Sequence, residues 1–274
     1  MQYNLFKQTK YKFFSLGSGS SGNCYYLGTS EYGILIDAGI GIRTIKKTLR
    51  EYGIAMEKII AVLVTHDHAD HIKTIGCMGD KLNIPIYATE AVHDGIRRNT
   101  YLNASLQTTR RIIEKEKVFS IKDFEITAFE VPHDSLENVG YEIRLEEQKF
   151  VLITDIGRIT DTIRQHASQA THLVIEANYD EEMLQNGKYP YYLKRRITSG
   201  MGHLSNRLSA EFIASIYNNN LQNIWLCHLS QDNNHPELAY KEVELALQTS
   251  GVITGKDVKL EVLSRYKASG LAEF

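Results

Sequence analysis

The chain has 274 residues, 43% of them hydrophobic, and a formal charge of -2. That length and apolar content predict one α/β domain over residues 1–274 with a substantial core, while the near-neutral balance gives no support from bulk charge for nucleic-acid binding. No window approaches the ~18 apolar residues of a membrane span, residues 1–7 lack the apolar run of a signal peptide, and Cys24, Cys77 and Cys227 show no C-x-x-C spacing. A reduced, cytoplasmic location with no membrane partner is therefore expected.

Strands are predicted at 11–16, 24–27 and 33–37, with the turn-rich loop Gly17-Ser18-Gly19-Ser20-Ser21-Gly22-Asn23 after the first. Residues 43–52 have helical spacing, with Ile45 and Leu49 on one face. The run Ile59-Ile60-Ala61-Val62-Leu63-Val64 reads as a buried strand. A short strand at 84–88 and a helix at 90–99 close the first half. The second half has strands at 124–131, 139–145 and 149–154, a helix at 160–167 and a strand at 173–177. Helices follow at 180–187 and 205–218, where Ser205 and Ser209 are both N-cap candidates. A strand at 223–227, a helix at 236–250 and a strand at 258–263 complete the chain. Two runs of strands, each with helices, predict two β-sheets face to face with helices outside.

The most informative segment is Thr65-His66-Asp67-His68-Ala69-Asp70-His71, at the end of the strand 59–64. Its three imidazoles and two carboxylates serve no packing purpose at a strand end. They are ligands of choice for zinc and similar divalent ions. His66 and His68 can point to one side of an extended chain, and Asp70 and His71 follow after it begins to turn. One segment can thus serve two metal ions, as two-metal hydrolases require. His133, Asp155 and His228 each stand at a predicted strand end, where a scaffold fixes the backbone and frees the side chain. Each alone is more often a surface or capping residue. Together they supply the donors a two-metal site still lacks.

The H-x-H-x-D-H pattern and the order of the later residues resemble the metallo-β-lactamase fold superfamily. The resemblance implies a four-layer αββα sandwich of two mixed sheets. It implies that His66, His68 and His133 would hold one metal, that Asp70, His71 and His228 would hold the other, and that Asp155 would bridge them. A hydroxide between the metals would be the nucleophile. Zinc is favoured, and manganese suits the same donors.

Three further segments resemble the YycJ/WalJ-like branch of that superfamily. They are Ser15-Leu16-Gly17-Ser18-Gly19-Ser20-Ser21-Gly22-Asn23-Cys24 with Leu35-Ile36-Asp37-Ala38-Gly39; Glu176-Ala177-Asn178-Tyr179-Asp180 with Gly187-Lys188-Tyr189-Pro190; and Leu193-Lys194-Arg195-Arg196-Ile197 with Gly202-His203-Leu204-Ser205-Asn206. Tyr179 stands where that branch is expected to have histidine. The resemblance implies a nuclease, plausible as an exonuclease acting on a 5′ end of DNA, with RNA as a second substrate class. His203 would contact the scissile phosphate or protonate the leaving oxygen, so Asp70 and His203 carry the catalytic expectation. Lys194, Arg196 and Asn206 are candidate substrate contacts near it. Asp37 either orients a ligand histidine or caps a turn. The loop carrying Ser20 and Asn23 either offers backbone N–H groups to an anion or is only a turn. His93, His166, His172 and His235 are read as structural or solvated. Two rivals are weighed: an ester, thioester or lactam hydrolase on the same metal core, and a metal-stabilised regulatory protein without turnover. Self-association is left open.

Overall fold

A computed structural model describes residues 10–102 and 104–274; residues 1–7, read above for targeting, lie outside the described residues. The first half contains β1 (Lys12–Gly17), β2 (Cys24–Gly28), β3 (Gly33–Ile36), α1 (Ile42–Glu51), β4 (Ile59–Leu63), the single turn α2 (Ala69–Ile72), β5 (Ile86–Ala88), α3 (Glu90–Arg98) and β6 (Arg110–Ile112). The second half runs β7 (Val118–Ile121), β8 (Phe124–Glu130), β9 (Val139–Leu145), β10 (Gln148–Ile153), α4 (Asp161–Ala167), β11 (His172–Glu176), α5 (Glu181–Asn186), α6 (Tyr191–Ile197), α7 (Asn206–Ile216), β12 (Asn223–Cys227), α8 (Pro236–Thr249), β13 (Lys259–Val262) and β14 (Ala272–Glu273).

Among the described residues the strands form two seven-stranded sheets, ordered β14-β1-β2-β3-β4-β5-β6 and β13-β12-β11-β10-β9-β8-β7. Both sheets are mixed. β1 to β3 pair antiparallel and β3 to β6 parallel. β7 to β10 pair antiparallel and β10 to β13 parallel.

The side-chain period of two builds the layers. Phe13, Tyr25, Ile34, Ala61 and Leu63 face Ile126, Tyr141, Phe150, Leu152 and Trp225 between the sheets. The ring of Phe13 lies 5.0 Å from that of Phe150 and 4.5 Å from that of Trp225. Each such buried side chain contributes about 1.5–3 kcal/mol. The intervening residues Phe14, Tyr26, Leu35 and Val62 pack outward on Ile45 and Leu49 of α1 and Val92 and Ile96 of α3. On the other sheet Val151, Ile153, Leu173 and Ile224 pack outward on Ile163 of α4, Ile213 of α7 and Val243 and Leu247 of α8. The result is the four-layer αββα sandwich with two mixed sheets. Strands buried on both faces explain the near-continuous apolar runs in the sequence.

Several local details depart from the sequence reading. β6, β7 and β14 are strands it did not place, and α2 and α6 are helices it did not place. Ser205 caps α7, accepting from the Leu208 amide at 3.2 Å. Ser209 is no cap: it lies inside α7, where its hydroxyl donates to the Glu176 carbonyl.

Among the non-glycine residues with left-handed backbone are Asp37 after β3 (φ 60°), Asp155 after β10 (φ 55°) and His228 after β12 (φ 55°). Such a conformation costs of order 1 kcal/mol or more and persists where surrounding structure enforces it.

Candidate metal centre

The strand β4 delivers Thr65 and His66 to a point beside Asp37. Asp37 Oδ1 accepts from the Thr65 amide at 2.8 Å, and Oδ2 accepts from the Thr65 hydroxyl at 2.9 Å. The His66 Nδ1–H donates to that hydroxyl at 3.0 Å, and the His71 Nδ1–H donates to Asp37 Oδ2 at 2.7 Å. Asp37 thus binds both Thr65 and His71. Gly39 permits the close approach this requires, since a Cβ there would meet the Asp70 carbonyl at 1.6 Å.

The same device recurs on the second sheet. His133 donates through Nδ1 to the Gly202 carbonyl at 2.9 Å, and His228 through Nδ1 to Glu176 Oε1 at 2.9 Å. In all four rings Nδ1 is committed, which leaves Nε2 as the atom turned toward the cluster. The Nε2 atoms of His66 and His228 are buried with no hydrogen-bond partner. An unmade bond of this kind costs about 1–3 kcal/mol unless a cation takes the lone pair.

The donor atoms gather into four overlapping groups among the described residues, each within 4.8 Å: His66, His68 and His133; Asp70, His71 and His228; His66, His71 and Asp155; and Asp155, Glu176, His203 and His228. Asp70 Oδ2 lies 3.6 Å from His71 Nε2 and 3.5 Å from His228 Nε2. Asp155 presents Oδ2 to His71 Nε2 at 3.2 Å and Oδ1 to His133 Nε2 at 3.7 Å. Its two oxygens therefore face donors of different groups. The His68 ring lies 4.6 Å from that of His66 and 5.0 Å from that of His133.

The charges of the cluster also suit cations. Asp37, after β3 of the first sheet, and Asp155 and Glu176, at the ends of β10 and β11 of the second, are buried carboxylates. Unpaired, such charges are strongly disfavoured. Burial, aided by the neighbouring His71, pushes His66 well below the ordinary histidine range, and burial likewise lowers His133. Both are thus held as neutral imidazoles, the form that ligates metal. Burial opposes protonation of His71 and His228 as well, but Asp37 and Asp155 raise the first well above its usual value. Asp155, Asp70 and Glu176 raise the second to about 10. A cation arriving there must displace protons, which the same carboxylates otherwise hold. The donor set and the orphaned nitrogens fit two divalent ions.

Glu176, to which the sequence reading assigns no role, is the organising residue of the second sheet. Its Oε1 accepts from both His203 Nδ1 at 2.8 Å and His228 Nδ1 at 2.9 Å. Its Oε2 accepts from the amides of Ile156 at 2.7 Å and Leu204 at 3.1 Å. The His203 side chain remains 19% exposed, so its free Nε2 belongs to the rim of the cluster.

The other candidates divide. Asn23 belongs to the cluster, its Nδ2 lying 2.9 Å from His71 Nε2 and 3.4 Å from Asp70 Oδ2. Arg196 reaches its edge: its Nε donates to Asp134 Oδ2, while Asp134 Oδ1 lies 3.3 Å from His133 Nε2. Ser20 is held by Arg265 Nη2 at 3.0 Å, and Arg265 also donates to the Leu229 carbonyl beside His228. Lys194 does not join the cluster; its Nζ donates to the Gln185 carbonyl at 2.7 Å. Asn206 does not either. It is buried and exchanges amide hydrogen bonds of 2.8 Å with Asn234.

Comparison with known proteins places this architecture. The beta-lactamase superfamily domain matches residues 32–224. The chain is 35% identical to the exodeoxyribonuclease WalJ of Streptococcus pneumoniae over 96% of its own length and 98% of that protein. It is also 35% identical to the exodeoxyribonuclease YycJ of Bacillus anthracis, over 88% of this chain and 90% of that one. Among solved structures, the metallo-beta-lactamase fold protein YhfI of Bacillus subtilis superposes with a TM-score of 0.70 at 19% identity, covering 97% of this chain and 100% of YhfI. By fold and by sequence, the chain belongs to the metallo-β-lactamase superfamily, in the branch that contains WalJ and YycJ.

Proposed function

We propose that this chain is a metal-dependent exodeoxyribonuclease, a hydrolase of DNA phosphodiester bonds that acts from the 5′ end. Relatives named as exodeoxyribonucleases match it over 96% and 88% of its length. The observation that carries the reading is the shared carboxylate of Glu176, which fixes a rim histidine, His203, directly beside the buried donor His228.

In this reading His66, His68 and His133 would hold one cation and Asp70, His71 and His228 the other, with Asp155 available to both. Zinc is favoured by the imidazole-rich set, with manganese as the alternative. When bound, the two ions supply Lewis acidity toward the phosphoryl oxygen and acidify water to near neutrality. The protein supplies the rest. Asp37 and Thr65 keep His66 and His71 in the tautomer that presents Nε2. Glu176 holds His203 by Nδ1, so that Nε2 can donate to a phosphate oxygen or protonate the departing oxygen. Arg196 fixes Asp134 beside His133.

The test uses end-labelled DNA and RNA of one sequence, with bis(p-nitrophenyl) phosphate and a p-nitrophenyl ester alongside, in metal-loaded and chelated samples. Metal-dependent release of label from the 5′ end of DNA is expected. Turnover of the ester alone would move the assignment to an acyl hydrolase. Glu176→Gln is expected to lower kcat/KM on DNA about 10- to 100-fold, because partners of this kind orient donor histidines. Kinetics equal to the parent's would show that Glu176 positions neither ring.

A further inference from the structure

Between Glu182 and Glu211 the chain has no Asp or Glu, yet it carries Lys188, Lys194, Arg195, Arg196 and Arg207. This cationic stretch stands out in a chain whose net charge is -2. α6 lies within it, and at the start of α6 Tyr191 and Tyr192 are 75% and 74% exposed. The guanidinium of Arg195 lies 5.9 Å from the centre of the Tyr191 ring. Lys194 and Arg195 line a groove of about 610 Å³ with Tyr179, Leu184 and Tyr191. The carboxylate in that groove, Glu181, is already engaged by Arg207 at 3.0 Å and by Ser205 at 2.9 Å. It therefore does little to offset the cations. From the same helix Arg196 reaches Asp134, the neighbour of the donor His133.

Exposed aromatic rings interleaved with cations fit one kind of partner well. Unpaired nucleotides offer a π-face for each ring and a phosphate for each cation, whatever their sequence. We infer that α6 is a stacking platform for unpaired DNA, with bases resting on Tyr191 and Tyr192 and the backbone tracking Lys194 and Arg195. Arg196 then leads the strand to the rim of the metal centre. The inference rests on the nuclease reading of that centre and adds to it the strandedness of the substrate and the path of its approach.

The experiment is fluorescence anisotropy of the full chain, metal-loaded, with a labelled phosphorothioate oligothymidylate of roughly 12 nucleotides, a length suited to such surfaces. The Tyr191→Ala/Tyr192→Ala double variant is expected to bind about tenfold or more weakly, whereas Tyr191→Phe/Tyr192→Phe, which keeps both rings, stays within about twofold of the parent. Lys194→Gln is expected to reduce the dependence of log affinity on log salt by about one phosphate contact. Metal content and melting temperature, measured on each variant, report that the fold is intact. Unchanged affinity in the alanine variant, or an equal loss in the phenylalanine variant, would overturn the platform. The two readings fail separately. A parent that binds the oligonucleotide through these rings but cuts no DNA would sink the nuclease assignment alone. A parent that cuts DNA and whose alanine variant binds normally would sink the platform alone.

Discussion

Asp70→Ala is expected to cut DNA at about one-thousandth of the parent rate or less and to carry fewer divalent ions per chain. Asp70 is the carboxylate that faces both His71 Nε2 and His228 Nε2, at 3.6 and 3.5 Å. Without it one donor group keeps two imidazoles and loses its anionic member. Those imidazoles are the two whose protonation the surrounding carboxylates favour, so the competition between proton and cation shifts toward the proton. The measurement is kcat/KM on end-labelled DNA beside metal content by mass spectrometry. A variant with full metal content and full activity would remove Asp70 from the site.

His203→Ala is expected to behave differently, losing about 10²- to 10⁴-fold in kcat while keeping its metal content. His203 is held by Glu176 through Nδ1, outside the groups His66–His68–His133 and Asp70–His71–His228. Removing its ring leaves both of those groups whole. Glu176 keeps His228 as well as the amides of Ile156 and Leu204 as partners, so its carboxylate is not stranded. Loss of metal together with activity would make His203 a ligand. Unchanged activity would make it a bystander.

The donors were legible because their chemistry is concentrated. Four of the candidate donors sit within His66-Asp67-His68-Ala69-Asp70-His71, and the others follow apolar runs that read as strands. The sandwich was legible for a related reason. Strands buried on both faces leave apolar runs that length and flanking glycines separate from helices. What lay hidden depends on distance in space. Glu176 looks like the polar end of any strand until His203 and His228, 27 and 52 positions away in sequence, are seen on one of its oxygens. Asp37 has two equal readings in the sequence, and its 2.7 Å contact with His71 is visible only in the fold. Lys194 and Asn206 had suitable side chains in a suitable segment, but one turns to Gln185 and the other to Asn234. The three-residue β6 and two-residue β14 are edge strands too short for a periodicity to register.

The donor residues are divided between the sheets. His66, His68, Asp70 and His71 follow β4 of the first, whereas His133, Asp155 and His228 follow strands of the second. Ions that take both sets therefore cross-link the two halves of the sandwich at one edge, much as a rivet joins two plates. Folding and ion concentration then become linked variables: at a free ion level one hundred times the dissociation constant, one such rivet adds about 2.7 kcal/mol to the stability of the whole chain. The apo chain keeps its inter-sheet core of Phe13, Phe150 and Trp225 but leaves this edge unclamped. On the two-metal reading, a shortage of ion would lower stability and activity together.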